Sequence, residues 1–71
     1  MVAVVEVQAR GGTIRLGQLL QVAGVVDTGG EAKALLATGA VRVNGEREER
    51  RGRQLHPGDV IAAGNVEVRV T

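Results

Sequence analysis

The chain has 71 residues, nine Lys and Arg against eight Asp and Glu for a net charge of +1, a single His, no Cys, and no Phe, Tyr or Trp. That length allows one small domain with a thin core of Val, Leu, Ile and Ala, and the lack of Cys excludes disulfides and thiolate metal ligands. With no Ser, Cys or Tyr either, and no nucleophile beside His56 in sequence, a core too small for a water-excluding pocket predicts no enzyme, no metal site, no cofactor and no small-molecule substrate.

Val2 to Gln8 is rich in β-branched residues and predicts a strand ended by Gly11-Gly12. It lacks the charged start and long apolar run of a secretion signal, and no stretch approaches the roughly 18 apolar residues of a membrane span, so a cytoplasmic protein with no membrane contact is expected. Leu16, Leu19, Leu20 and Ala23 fall at helical spacing and predict a helix over Leu16 to Ala23, closed by Gly24. Thr28-Gly-Gly-Glu31 has the spacing of a capping box, with Thr28 accepting from the amide three residues on and Glu31 reaching back. The helix it opens turns Ala32, Leu35 and Leu36 inward and stops at Gly39, which gives a helical hairpin.

Val41-Arg-Val43 followed by Asn44-Gly45 signals a tight two-residue β-turn, because Asn-Gly supplies the positive φ values that such a turn requires. Glu46 to Arg53 is polar or glycine throughout and reads as too charged for a core. Pro57-Gly58-Asp59 forms a turn feeding a strand over Val60 to Ala62, and Asn65 to Thr71 alternates Val with polar residues, as a half-buried strand does. The two terminal strands could pair with each other.

The charge is unevenly spread. From Arg10 to Arg53 eight basic residues face five acidic ones, a net +3, while the flanks together carry −2. A helix beginning at Gly29-Gly30 exposes amides with little steric cover, and its dipole favours an anion such as phosphate, with Lys33 nearby. The plain alternative is that Thr28 to Glu31 is only a good cap, and Glu31 would repel phosphate. Arg42, Arg47, Arg50, Arg51 and Arg53 could present guanidinium forks to successive phosphates. Their alternative is a solvated face, because Glu46, Glu48 and Glu49 are interleaved and surface Arg–Glu pairs contribute little.

Three stretches in order, Ile14-Arg-Leu-Gly-Gln-Leu-Leu20, then Thr28-Gly-Gly-Glu-Ala-Lys-Ala-Leu-Leu36 running into Gly39-Ala-Val-Arg-Val-Asn-Gly45, and Leu55-His-Pro-Gly-Asp-Val-Ile61, resemble the S4 RNA-binding domain. The Thr-Gly-Gly-Glu-Ala-Lys run and Arg50-Arg51-Gly52-Arg53 are most similar to the small stand-alone bacterial members of the YaaA and YbcJ type. Many other members carry polar or basic residues where this chain has Gly29 and Gly30, which leaves backbone contacts there.

The resemblance implies an α+β fold, a helical hairpin packed on a small, mostly antiparallel sheet, as a single S4-like domain over residues 1–71 with its core motif at about 14–61. It implies a non-enzymatic module that docks on structured RNA, ribosomal or transfer RNA or another stem-loop, with the ribosome as a further partner. The RNA-binding residues it implies are Arg15, Thr28, Gly29, Gly30, Lys33, Arg42, Asn44, Arg50, Arg51 and Arg53, although turn chemistry alone accounts for Asn44-Gly45.

Domains that read single strands stack bases on aromatic rings, and this chain has none, so recognition of phosphate geometry and RNA shape is expected. Two rivals remain: a protein-interaction or ribosome-docking adaptor of the same shape, and a β-grasp sulfur carrier. Such carriers share the Val-Asn-Gly turn but end in Gly-Gly, where this sequence reads Arg69-Val-Thr71.

Overall fold

The computed structural model describes residues 2–71. Strand β1 (Ala3–Val7) leads through a 3-10 turn at Arg10–Gly12 to a two-residue strand β2 (Ile14–Arg15), which passes directly into helix α1 (Leu16–Val22). Helix α2 (Gly29–Ala37) follows, then β3 (Val41–Val43), β4 (Glu46–Arg47), β5 (Gln54–Leu55), β6 (Val60–Ala63) and β7 (Val66–Val70).

The main sheet has the order β1-β7-β6-β3-β4, and β2 and β5 form a second, two-stranded sheet. The terminal strands do pair, in parallel, with Val5 opposite Val68 and Val7 opposite Val70; every other pairing is antiparallel. This is the expected α+β architecture: a helical hairpin on a mostly antiparallel sheet.

The pattern of side chains explains how the layers meet. Spacing of three and four places Leu16, Leu19 and Leu20 on one face of α1, all fully buried, and Ala32 and Leu36 of α2 join them. Val41 and Val43 of β3, Ile61 of β6 and Val68 of β7 close the core from the sheet side, with Arg42, Ala62 and Arg69 alternating outward. Leu35 packs at the margin of this cluster, half-buried.

Helix α1 ends one residue before the expected Ala23, which instead caps it, and the first and last strands are each one residue shorter at both ends than the segments that predicted them. One expectation needs correction. The segment 46–53 is not wholly outside the core, because Glu48 is only 6% exposed.

Asn44 and Gly45 take φ values of 51° and 87° and turn β3 into β4 in two residues, as their types require. The Asn44 side chain does more than turn the chain. Its Oδ1 accepts from the Val60 amide (2.9 Å), and its Nδ2 donates to Asp59 Oδ1 (3.0 Å), tying the hairpin to the start of β6. Asp59 also accepts from the His56 amide (2.8 Å), and these bonds, that from Asn44 first, hold its carboxyl below the ordinary range. Asn44→Ala forfeits both side-chain bonds and places Ala at a positive φ, so it is expected to lower stability by about 2 kcal/mol in urea unfolding. Asn44→Gly should recover the part due to backbone strain.

Candidate nucleic-acid interface

The arginine-rich loop is organised by the acid buried beneath it. The Glu48 amide donates to the carbonyl of Val41 (3.0 Å), which extends the β3–β4 pairing by a step and carries the Glu48 side chain inward. There the carboxylate accepts from the amides of Glu49 (3.1 Å) and Arg50 (3.2 Å), from Nε and Nη2 of Arg50 (3.1 and 3.0 Å), and from Nη1 of Arg53 (3.0 Å). The bonds from Arg50, with that from Arg53, outweigh desolvation and bring the Glu48 carboxyl down to about 2.

This loop then caps α1, a helix without a capping side chain of its own. The carbonyls of Arg53 and Arg51 accept from the first amides of the helix, Leu16 and Gly17, both at 2.9 Å. Helix and loop touch here: a Cβ on Gly17 would lie in van der Waals contact with Arg51, 3.4 Å from its Cβ and 3.5 Å from its carbonyl oxygen. The result is to press the loop against the helical hairpin with Arg51 beside Arg15.

Between them lies an open groove of about 430 Å³, lined by Arg15, Gly17, Gln18 and Gln21 on one side, Gly29 and Ala32 of α2 on another, and Arg51 and Gly52 of the loop. Arg15, Gly29 and Arg51 of the sequence-derived set meet here. Lys33 stands four residues beyond Gly29 and so on the same side of α2, exposed. Thr28 caps α2 by accepting from the Glu31 amide (3.1 Å). The Glu31 carboxylate reaches back to the amide of Asp27 (3.0 Å), one residue further than the capping box places it, because Asp27 heads the chain into the cap. Gly29 and Gly30 thus keep their amides free of any acceptor among the described residues, and nothing lies within 4 Å of a Cβ built on Gly29.

The remaining members of the set lie apart from the groove. Arg50 and Arg53 are paired with Glu48; Arg42, directly across from Arg47 on the hairpin, donates to the Gly45 carbonyl (3.3 Å), and Asn44 is engaged with β6 as described. Among the described residues Arg15, Lys33, Arg42 and Arg51 of the set have no acidic partner, whereas Arg47 pairs with Glu49 at 3.5 Å. Sequence reasoning missed Gln18 and Gln21 as groove residues and Glu48 as the loop's anchor. For the glutamines, the signal was present in their three-residue spacing from each other and from Arg15.

Residues 7–71 match the family model described as S4 domain. The chain belongs to the S4 domain family. Over 48 residues, 68% of each chain, this S4 domain is 50% identical to a Bacillus subtilis (strain 168) protein named probable ribosome maturation protein RlbA. Among its described residues no three acidic or His side chains gather as a metal site, and no helix is long and apolar enough to cross a membrane.

Proposed function

We propose that this S4 domain is a non-enzymatic module that binds structured RNA, seating backbone phosphates in the groove between α1, the start of α2 and the 48–53 loop. The observation that carries the reading is the meeting of Arg15 and Arg51, both without acidic partners among the described residues, at a groove that Gly29, the uncovered first residue of α2, also lines. Guanidinium forks and a helix N-terminus are complementary to phosphate by geometry and by charge.

Lys33 extends the positive surface along α2, and Arg42 supplies a further contact at the hairpin. Arg50 keeps a largely exposed side chain and unused N–H groups while it holds Glu48, so it reaches phosphate at the loop's rim; Arg53, more covered, chiefly shapes the loop. Thr28 and Gly30 set the course of the amides, and Asn44 fixes the turn beside Arg42. With no aromatic platform, the domain reads phosphate spacing and fold, and discriminates weakly between sequences. The ribosome maturation named for the Bacillus relative supports ribosomal RNA as the target and a cytoplasmic site of action.

Gly29→Ala tests this separately from folding. A Cβ there meets nothing, and Gly29 keeps a helical φ, so stability is expected to hold or to rise by about 0.5 kcal/mol. The added methyl crowds the amides that face phosphate, so affinity for a ribosomal RNA fragment should fall severalfold in fluorescence anisotropy. Equal affinity in the two proteins would remove the α2 N-terminus from the interface.

A further inference from the structure

Strands β1 and β4 are the two edges of the main sheet, and they are built differently. β4 has two residues, both charged, an edge that discourages further pairing. β1 runs for five residues with Glu6 as its single charge and contains neither Pro nor Lys.

The parallel ladder to β7 uses alternate residues of β1. The Ala3 amide donates to the Asn65 carbonyl and the Val7 carbonyl accepts from Thr71, both at 2.9 Å, so the amides and carbonyls of Val4 and Glu6 face away from β7. Among the described residues the large aliphatic side chains left exposed are Val2 (57%), Val4 (51%) and Val22 (62%). Two of them lie on or beside the open edge. Val22 lines, with Val5, Val7 and Ile14, a groove of about 450 Å³ that runs along it.

We propose that this edge is a self-association surface: β1 of a second copy adds to it antiparallel, joins the two sheets and covers Val4 and Val22. The charges favour a second copy of this chain. Glu6 and Arg10 both border the groove, and neither has an ion-pair partner among the described residues, since Arg69 beside Glu6 is turned to Glu67 at 2.9 Å. With the two-fold axis at Val7, Glu6 exchanges backbone bonds with Gln8 of the second copy, and Arg10 of that copy follows two residues on, at the turn where its strand ends. The two glutamates near the axis are then each flanked by an arginine, whereas a register centred on Glu6 sets them face to face without that relief. Gln18 borders both this groove and the one assigned to RNA, so the two adjoin on α1. The inference does not depend on RNA binding.

One strand pair buries a small interface, so sedimentation equilibrium of the whole protein from about 5 to about 500 µM is expected to show a dimer dissociating near 100 µM, as an order of magnitude. Glu6→Pro removes an outward N–H but no bond of the β1–β7 ladder, and Val22→Asp puts a charge into the groove from an exposed helix position. Each is expected to raise the dissociation constant at least about tenfold with the circular dichroism of the monomer unchanged. Should Glu6→Pro fail to fold, Val22→Asp decides. A wild-type monomer across the whole range overturns the proposal, and so does a dimer that survives the variants undiminished.

Discussion

Replacing Arg15 and Arg51 together with Gln is expected to lower RNA affinity about a hundredfold at low salt, each lost charge-assisted contact being worth roughly tenfold or more. The same variant should unfold at the same urea concentration as the wild type, because neither side chain makes a hydrogen bond or ion pair among the described residues. The salt dependence should flatten as well: the slope of log affinity against log salt is expected to fall by about two, one for each phosphate released. Changing Arg50, Arg51 and Arg53 as a block is a poorer experiment. It strips Glu48 of its partners and confuses loss of contact with loss of the loop.

Glu48→Gln should have the largest effect on stability of any change at the site. Glu48 is 6% exposed, and its carboxylate receives two amides and three guanidinium N–H groups; Gln retains one acceptor oxygen and turns an amide donor toward the arginines. Because Arg50 is mostly in solvent, part of the interaction is screened, and a loss of about 2 kcal/mol is expected, a large share of the roughly 5 kcal/mol typical of so small a domain.

The sign of the pH dependence follows from the lowered carboxyl. A folded-state pKa of about 2 against an ordinary 4.5 means that the contribution is complete above about pH 4.5 and drains away as pH falls toward 2. Asp59, also lowered, acts in the same direction and keeps its bonds from Asn44 and His56 in the variant. Chemical denaturation at pH 3 and at pH 6 should therefore show a smaller acid loss in Glu48→Gln than in the wild type, with a residue of the loss remaining. RNA affinity should drop severalfold although the variant carries one more positive charge, because Arg51 is positioned by the loop that Glu48 holds. A rise in affinity would mean that net charge, and not loop geometry, governs binding.

The sequence made some of this molecule readable because local chemistry and the final fold agree. Asn44-Gly45 demands positive φ whatever surrounds it, the Leu16, Leu19, Leu20 spacing fits only a helix with a buried face, and Thr28 caps α2 by accepting from the amide of Glu31, three residues on. Richness in β-branched residues near the start and valine alternation near the end identified two strands; their pairing was open in the sequence, and the parallel ladder of β1 with β7 decides it.

What escaped notice depends on contacts distant in sequence. Strands β2 and β5 have two residues each, too few for any periodicity, and they exist because the Arg53 and Arg51 carbonyls reach the start of α1. Glu48 looks in sequence like Glu46 or Glu49. It is buried because its amide continues the ladder from Val41, a bond no local pattern announces. For the same reason the arginine run could not be divided in advance into Arg50 and Arg53, which hold an acid, and Arg51, which is free to face the groove.

The central claim, that this S4 domain grips RNA through phosphates, is tested most directly by a salt titration of the unmodified protein against a ribosomal RNA fragment. With about four phosphates engaged, affinity should fall some fifty- to a hundredfold between roughly 50 and 200 mM monovalent salt. Binding that holds its strength across that range, or no binding at low salt by the folded protein, would contradict the account and point to a protein partner instead.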